Sequence, residues 1–129
     1  MKKKVLIIED DESISEVLEY IVHELGCDAM TSTYALPVRQ IANLAPNLIL
    51  LDHWLGDSLG GELCSKLKSN LSTKTIPVLI VSADLSAQQI AKDAHADDFL
   101  NKPFQVEDIE EKIRKFIITD GFANPPIAV

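Results

Sequence analysis

Three acidic residues of the chain directly follow two short apolar segments. Glu9 and Asp10 follow VLII (5–8), and Asp52 follows LILL (48–51). Two carboxylates about 4 Å apart repel each other by roughly 4 kcal/mol at an effective dielectric constant near 20, so a cluster of these acids would be unfavourable without a cation. Mg²⁺ would remove the repulsion, because this ion accepts one or two carboxylates together with waters and a phosphate. The acids therefore predict a magnesium site, provided that the fold brings them together.

A hydroxyl and an amine follow two further apolar segments. Ser82 follows VLIV (78–81), and Lys102 comes just after the weaker segment 96–100. Phosphoryl transfer depends mostly on positioning and on neutralising the charge of the equatorial oxygens, so a metal, a lysine and a hydroxyl around one carboxylate would suffice for it. A carboxylate beside Mg²⁺ and an ammonium group would also stay ionised and able to attack.

Each of these residues alone has a plainer interpretation. Acidic residues at the start of a helix are stabilised by the positive end of the helix dipole, and we keep this interpretation for Asp11 and Glu12. An aspartate after a strand is often a turn former, a serine there can cap a helix, and a single lysine is usually solvated. The side chain of His53 is expected on the opposite face of the strand from Asp52, away from the metal. The functional prediction rests on the joint arrival of several polar groups at strand ends.

Alternating strands and helices would place these groups at one edge of a sheet. VLII, LILL and VLIV are continuous apolar runs typical of parallel strands that are buried on both faces. Helical periodicity is clearest in residues 14–25, which end before Gly26, and in residues 106–117. Weaker strands are predicted at 28–32 and 96–100, and shorter helices at 38–44, 59–67 and 90–94. The strand–helix order, repeated five times, predicts an α/β fold with a doubly wound parallel sheet, whose ligands bind beyond the carboxyl ends of the strands.

Composition restricts the class of protein. At 129 residues the chain has room for one domain and little more, so no separate output domain is expected. Lysine and arginine number 12 against 20 aspartates and glutamates, and the formal net charge of −8 argues against direct binding of nucleic acid. No segment has the apolar length of a membrane span or a secretory signal, and the two cysteines lack metal-ligand spacing. We therefore expect a cytoplasmic protein without a membrane partner.

Four blocks of the sequence resemble the signature blocks of the receiver domain of two-component response regulators. They are VLIIEDDE, LILLDHWLGDSLGG, VLIVSA and ADDFLNKPF, and the similarity spans roughly residues 3 to 118. The resemblance implies a flavodoxin-like fold with five strands in the order 2-1-3-4-5 and five helices. It also implies a receiver domain over residues 1–118, followed by an irregular C-terminal tail, 119–129.

The resemblance assigns a role to each acidic residue of the site. Asp52 matches the aspartate that accepts a phosphoryl group from a phosphohistidine. Glu9 and Asp10 match the acidic pair that holds Mg²⁺ together with Asp52, and the backbone carbonyl of Trp54 matches a further ligand. Mn²⁺ is expected to substitute for Mg²⁺.

The resemblance also assigns the remaining site residues. Ser82 and Lys102 match the residues that contact phosphoryl oxygens during the reaction, and Ser82 and Phe99 match the pair that switches conformation. The bond from Lys102 to Pro103 is expected to be cis. Phe99 has no hydroxyl, so a switch that relies on the hydrogen bond of a tyrosine hydroxyl is excluded, whereas rotation of the ring into the space vacated by Ser82 is open.

Besides Phe99, two residues depart from the family pattern. Gly56 stands where the family usually has proline, which predicts a looser loop after Asp52. His95 stands where the family usually has glycine, which predicts a changed turn. The indole of Trp54 is expected to overhang the mouth of the site and, with Asp84, to border the path of the attacking water, so that the phosphoryl group is lost slowly by hydrolysis. The alternative is an indole packed flat against its own loop, without effect on the site.

The predicted function is that of a phosphorylation-controlled switch. A histidine kinase or phosphotransfer protein would phosphorylate Asp52, and the face formed by the fourth helix, fifth strand and fifth helix would then bind a downstream protein, with phosphorylation-dependent homodimerisation also open. Such a protein phosphorylates and dephosphorylates itself and is not a turnover enzyme. The alternatives are a Mg²⁺-dependent phosphatase with an aspartyl nucleophile and an interaction module that does not need phosphorylation. Trp54 argues against the phosphatase, because such enzymes place an acidic residue at this position.

Overall fold

A computed structural model describes residues 2–117 of the chain as alternating strands and helices. The predicted tail, residues 119–129, lies outside the described residues. The elements in chain order are β1 (Lys4–Ile8), α1 (Glu12–Glu24), β2 (Asp28–Ser32), α2 (Val38–Leu44), β3 (Leu48–Leu51), β4 (Trp54–Leu55), β5 (Ser58–Leu59), α3 (Gly60–Lys68), β6 (Val78–Ser82), α4 (Ala87–Asp93), β7 (Asp98–Asn101) and α5 (Val106–Ile117).

Five strands form one parallel sheet in the order β2-β1-β3-β6-β7. Since β6 and β7 are the fourth and fifth strands of this sheet, the predicted order 2-1-3-4-5 and the predicted doubly wound α/β fold are confirmed. The three continuous apolar runs occupy β1, β3 and β6, which are the three interior strands. Strands in that position are covered by helices on both faces, which is why their sequences do not alternate.

Each face of the sheet carries its own hydrophobic core. Leu6 and Ile8 of β1 point to the face covered by α2, α3 and α4, whereas Val5 and Ile7 point to the face covered by α1 and α5. All four side chains are at most 1% exposed. Burial of such a side chain contributes about 1.5–3 kcal/mol, so the apolar runs stabilise the same strand ends that carry the polar residues.

The loop after β3 contains a small hairpin that the sequence analysis did not predict. Trp54 pairs with Leu59 and Leu55 with Ser58, in antiparallel orientation. Gly56 has a φ of 69°, a left-handed value that glycine adopts without strain at the first position of a tight hairpin turn. The prediction that Gly56 loosens this loop was therefore wrong, because the glycine permits a two-residue turn.

Two local features of the backbone follow the sequence prediction. The side chain of Asp11 caps α1 by accepting from the backbone N–H groups of Ser13 at 2.9 Å and Ile14 at 3.2 Å. The bond between Lys102 and Pro103 is cis. Asp11 is thus a helix cap, as expected for the acids that follow the predicted metal ligands.

Within residues 2–117, every helix is too short or too polar to cross a lipid bilayer.

Candidate functional site

The register of the sheet brings the predicted site residues to one edge. Ile8 pairs with Leu51, so Glu9 and Asp52 emerge side by side from β1 and β3. The backbone N–H of Asp52 continues the ladder by donating to the carbonyl of Ile8 at 2.9 Å. On the other side of the edge, Ser82 pairs with the last residue of β7, which immediately precedes Lys102 in the chain.

Glu9, Asp10 and Asp52 form a compact cluster of carboxylates. One oxygen from each residue lies within 4.8 Å of the other two. Glu9 is 1% exposed and Asp52 is 6% exposed, while Asp10 faces solvent. The cluster therefore has two buried acids at its base and one at its mouth.

Lys102 lies between the two buried acids. Its Nζ is 2.6 Å from Oε1 of Glu9 and 3.6 Å from Oδ1 of Asp52. The ammonium group supplies one positive charge against the three carboxylates of the cluster. Charged residues that are distant in the sequence thus lie together at one edge of the sheet, as predicted. The pairing of Lys102 with Glu9 was not predicted.

Burial dominates the titration of both inner acids. Desolvation raises the pKa of Glu9 from 4.5 to about 7, against the lowering effect of Lys102 and of the Asp11 N–H that donates to Oε2 at 3.1 Å. Desolvation also raises the pKa of Asp52, and the charge of Lys102 opposes this shift. In the absence of another cation, the site holds protons more tightly than free carboxyl groups do.

The donor set fits a hard divalent cation. Oε1 of Glu9 is fully buried and, despite its short distance to Lys102, accepts no hydrogen bond of acceptable geometry. The three carboxylates provide the oxygen ligands that Mg²⁺ prefers. One buried oxygen lacks a hydrogen-bond partner, and one residue is open to solvent, which leaves room for waters on the ion. A second positive charge at this position would also oppose the raised pKa values of the inner acids.

Ser82 closes the carboxyl end of β6 and is fully buried. Its Oγ accepts from the backbone N–H of Asp84 at 3.1 Å. A hydroxyl group that accepts in this way keeps its own proton for donation to another acceptor. Ser82 can therefore serve as a hydrogen-bond donor at the edge of the sheet where Asp52 and Lys102 also lie.

Trp54 lies at the rim of the site in β4. Its indole is 54% exposed, and Nε1 donates to Oδ2 of Asp84 at 3.1 Å, which links the loop after β3 to the loop after β6. The bond lowers the pKa of Asp84, although the larger cause is the backbone N–H of Ser86. The indole therefore forms a bridge between the two loops.

His53 points away from the acids, as predicted. Its Nδ1 accepts from the backbone N–H of Gly61 at 3.1 Å, and its ring meets the Trp54 ring edge-on at 5.0 Å and 77°. The imidazole is buried against α3, so it supports the loop and is no part of the carboxylate cluster.

Phe99 lies outside the carboxylate cluster. It is in β7, beside Ile80 of β6, and its half-buried ring packs against the core on the α4 side of the sheet. A ring at this position can transmit movement of β6 and α4, but it is not one of the residues that form the carboxylate cluster.

Asn101, which the sequence pattern did not indicate, lies at the same edge of the sheet. Its Nδ2 donates to the carbonyl of Asp84 at 3.0 Å and more weakly to that of Ser82 at 3.4 Å. Its position directly before Lys102 was the available signal, but an asparagine there has no distinctive pattern.

Comparison with known proteins agrees with this geometry. The sequence profile of the response regulator receiver domain matches residues 5–114. The DNA-binding dual master transcriptional regulator RpaA of Synechocystis sp. is 32% identical over 117 residues, which are 88% of this chain and 48% of RpaA. Protein PilG of Pseudomonas aeruginosa is 28% identical over 117 residues, which are 88% of this chain and 87% of PilG. The chain thus spans about half the length of RpaA and most of that of PilG.

A solved structure is similar over the same region. The CheY-like response regulator receiver domain protein of Methanospirillum hungatei JF-1 is 27% identical, with a TM-score of 0.79 over 89% of this chain and 93% of that one. The sequence profile, the relatives and the fold all agree with the arrangement of acidic residues at the strand ends. The chain belongs to the response regulator receiver domain family, the phosphorylation-controlled switches of two-component systems.

Proposed function

We propose that Asp52 is the phosphoacceptor of this receiver domain. The supporting observation is its position: a buried carboxylate 3.6 Å from the ammonium of Lys102 and grouped with two further acids at the carboxyl edge of the sheet. An oxygen of Asp52 attacks the phosphorus of a phosphohistidine, the bond from phosphorus to nitrogen breaks, and the imidazole leaves with the electron pair. The product is an acyl phosphate on Asp52.

Glu9, Asp10, Asp52 and the backbone carbonyl of Trp54 are the proposed ligands of Mg²⁺. The ion would supply positive charge for the phosphoryl oxygens, and Mn²⁺, which prefers the same ligands, would substitute for it. The unsatisfied buried oxygen of Glu9 supports this assignment. Asp10, as the exposed member, is the residue at which a hydrated ion would enter.

Ser82 and Lys102 are the proposed ligands of the phosphoryl group. Lys102 would neutralise one oxygen, and a bound metal ion would supply Glu9 with positive charge in place of the lysine. Ser82 donates its proton to another oxygen. Movement of Ser82 opens space for the ring of Phe99, and the surface of α4, β7 and α5 changes with it.

The proposed partners are a histidine kinase or phosphotransfer protein as donor and a downstream protein as target. Phosphorylation-dependent pairing of two copies would use the same α4, β7 and α5 surface. RpaA is described as DNA-binding, but a formal net charge of −8 does not favour contact between this chain and a phosphate backbone. The chain would not act as a turnover phosphatase, because Trp54 stands where such an enzyme needs a general acid.

The switch can be tested with beryllofluoride, a phosphoryl mimic, in the presence of Mg²⁺. Amide NMR spectra of the wild type should change at the site and also across α4, β7 and α5, and the Asp52→Asn protein should show neither change. Spectral changes confined to the acids would contradict the proposed switch. Retention of the full response by Asp52→Asn would contradict the assignment of the phosphoacceptor.

A further inference from the structure

The segment from Ser82 to Asp84, which connects β6 to α4, is fastened to β7 by Asn101. This residue is the last of β7 and pairs with Ser82 in the register of the sheet. Its Nδ2 donates to the carbonyl oxygen of Asp84 at 3.0 Å and to that of Ser82 at 3.4 Å, and the backbone N–H of Lys102 donates to the Ser82 carbonyl at 2.9 Å. The carboxamide therefore extends the pairing of the two strands beyond the point where the ladder ends.

Asp84 connects Asn101 to the hydroxyl of Ser82 through hydrogen bonds. The backbone N–H of Asp84 donates to Oγ of Ser82 at 3.1 Å, and the carbonyl of Asp84 accepts from Asn101 at 3.0 Å and from the first backbone N–H of α4 at 3.1 Å. Asp84 is also fixed from the other side, because its carboxylate accepts from Trp54 Nε1 at 3.1 Å and from the backbone N–H of Ser86 at 2.8 Å. All its hydrogen-bonding groups have partners, so Asp84 positions Oγ of Ser82 before a phosphoryl group is bound.

The support determines what the hydroxyl can do. Ser82 is fully buried, so bulk solvent does not compete for the proton of its hydroxyl. With one lone pair engaged by Asp84, the hydroxyl can rotate only so as to donate elsewhere. A change that frees Asp84 would let Ser82 turn and would add an entropic cost to any hydrogen bond that it makes with a ligand.

We propose that Asn101 is a positioning residue of the phosphoryl site, acting through Asp84 to hold the hydroxyl of Ser82 ready to donate to a phosphoryl oxygen. The inference rests on the proposed function and adds to it a residue outside the metal ligands and the phosphoryl ligands. The carboxamide is suited to this role because one nitrogen offers two N–H groups to two carbonyl oxygens. Leucine has a similar size and offers none.

The test compares Asn101→Leu with the wild type in two binding measurements. The affinity for Mg²⁺, measured by calorimetry, should be unchanged, because Asn101 contacts none of the three clustered acids and the substitution leaves them folded in place. The affinity for beryllofluoride at saturating Mg²⁺, measured by fluorine NMR, should fall by about two- to fivefold, as expected for the loss of one or two exposed neutral hydrogen bonds. Asn43→Leu, at an exposed asparagine of α2 far from this edge of the sheet, is the matched control and should match the wild type in both measurements.

A double-mutant cycle separates positioning from general stability. If Asn101 acts through Ser82, the Asn101→Leu substitution should have no further effect on beryllofluoride affinity in a Ser82→Ala background. An equal loss in both backgrounds would overturn the inference, as would wild-type affinity in Asn101→Leu. Failure of the wild type itself to bind beryllofluoride would instead refute the proposed function, and the inference with it.

Discussion

Replacing Lys102 with methionine should destabilise the Mg²⁺-free protein in a manner that depends on pH. The distances of 2.6 Å to Glu9 and 3.6 Å to Asp52 correspond to attractions of about 6 and about 5 kcal/mol at an effective dielectric constant of about 20. Burying the ammonium group costs several kcal/mol, so we expect a net loss of about 2–3 kcal/mol when all three groups are charged. The full loss should therefore appear only where Glu9 is ionised.

The pH dependence follows from the raised pKa of Glu9. Its pKa is 4.5 in an unfolded chain and about 7 in the folded protein, so the folded state binds the proton more tightly and loses stability as the pH rises between these values. Lys102 opposes that loss by lowering the pKa of Glu9. The difference in stability between the wild type and Lys102→Met should thus be about 1 kcal/mol or less at pH 5.5 and about 2–3 kcal/mol at pH 8.

Urea unfolding at the two pH values, with and without Mg²⁺, measures this effect. Saturating Mg²⁺ should reduce the deficit at pH 8, because the ion then neutralises the same carboxylates. Lys115→Met is the control: the Lys115 side chain is 62% exposed and 3.8 Å from Asp98, so its loss should cost under about 1 kcal/mol at either pH. An equal loss for Lys102→Met at pH 5.5 and pH 8 would refute the assignment of Glu9 as its main partner.

Three further substitutions test other parts of the account. Gly60→Ala should lower stability in urea unfolding by at least about 3 kcal/mol and weaken Mg²⁺ binding, because a Cβ on Gly60 would clash with the carbonyl oxygen of Asp52. Tolerance of alanine would show that this close approach is not required. His95→Gly should raise stability by about 0.5–1 kcal/mol, since His95 has a φ of 60°, and a loss would mean that its side chain has an unrecognised stabilising contact. Trp54→Asn should shorten the lifetime of the acyl phosphate several-fold in a mass-spectrometric decay measurement, because the indole and its bond to Asp84 cover the rim of the site; an unchanged lifetime would mean that the ring does not restrict water.

Much of the fold could be predicted because the interior strands are buried on both faces. The run LILL coincides with β3, and VLII and VLIV each differ from their strands by one residue. The hairpin of β4 and β5 could not be predicted in the same way. Strands of two residues have no periodicity, and Gly56 alone was equally compatible with a loose loop.

The site could be predicted as a set of residues but not as a set of contacts. Strand ends place Glu9, Asp52 and Lys102 at one edge, and chain topology is enough to infer that. Whether the lysine approaches one acid or both depends on side-chain geometry within a few ångströms. The hydrogen bonds of Asp84 to Trp54 and Asn101 could not be predicted for the same reason, since each joins loops that are distant in the sequence.

The central claim is that Asp52 alone accepts the phosphoryl group, and intact-mass measurement after incubation with acetyl phosphate and Mg²⁺ tests it most directly. The wild type should gain one phosphoryl group, and removal of Mg²⁺ with a chelator should abolish the gain. Asp57→Asn, which removes an exposed acid from the turn of the neighbouring hairpin, should be labelled to the wild-type level, whereas Asp52→Asn should remain unlabelled. Labelling of Asp52→Asn to the wild-type level would contradict the account.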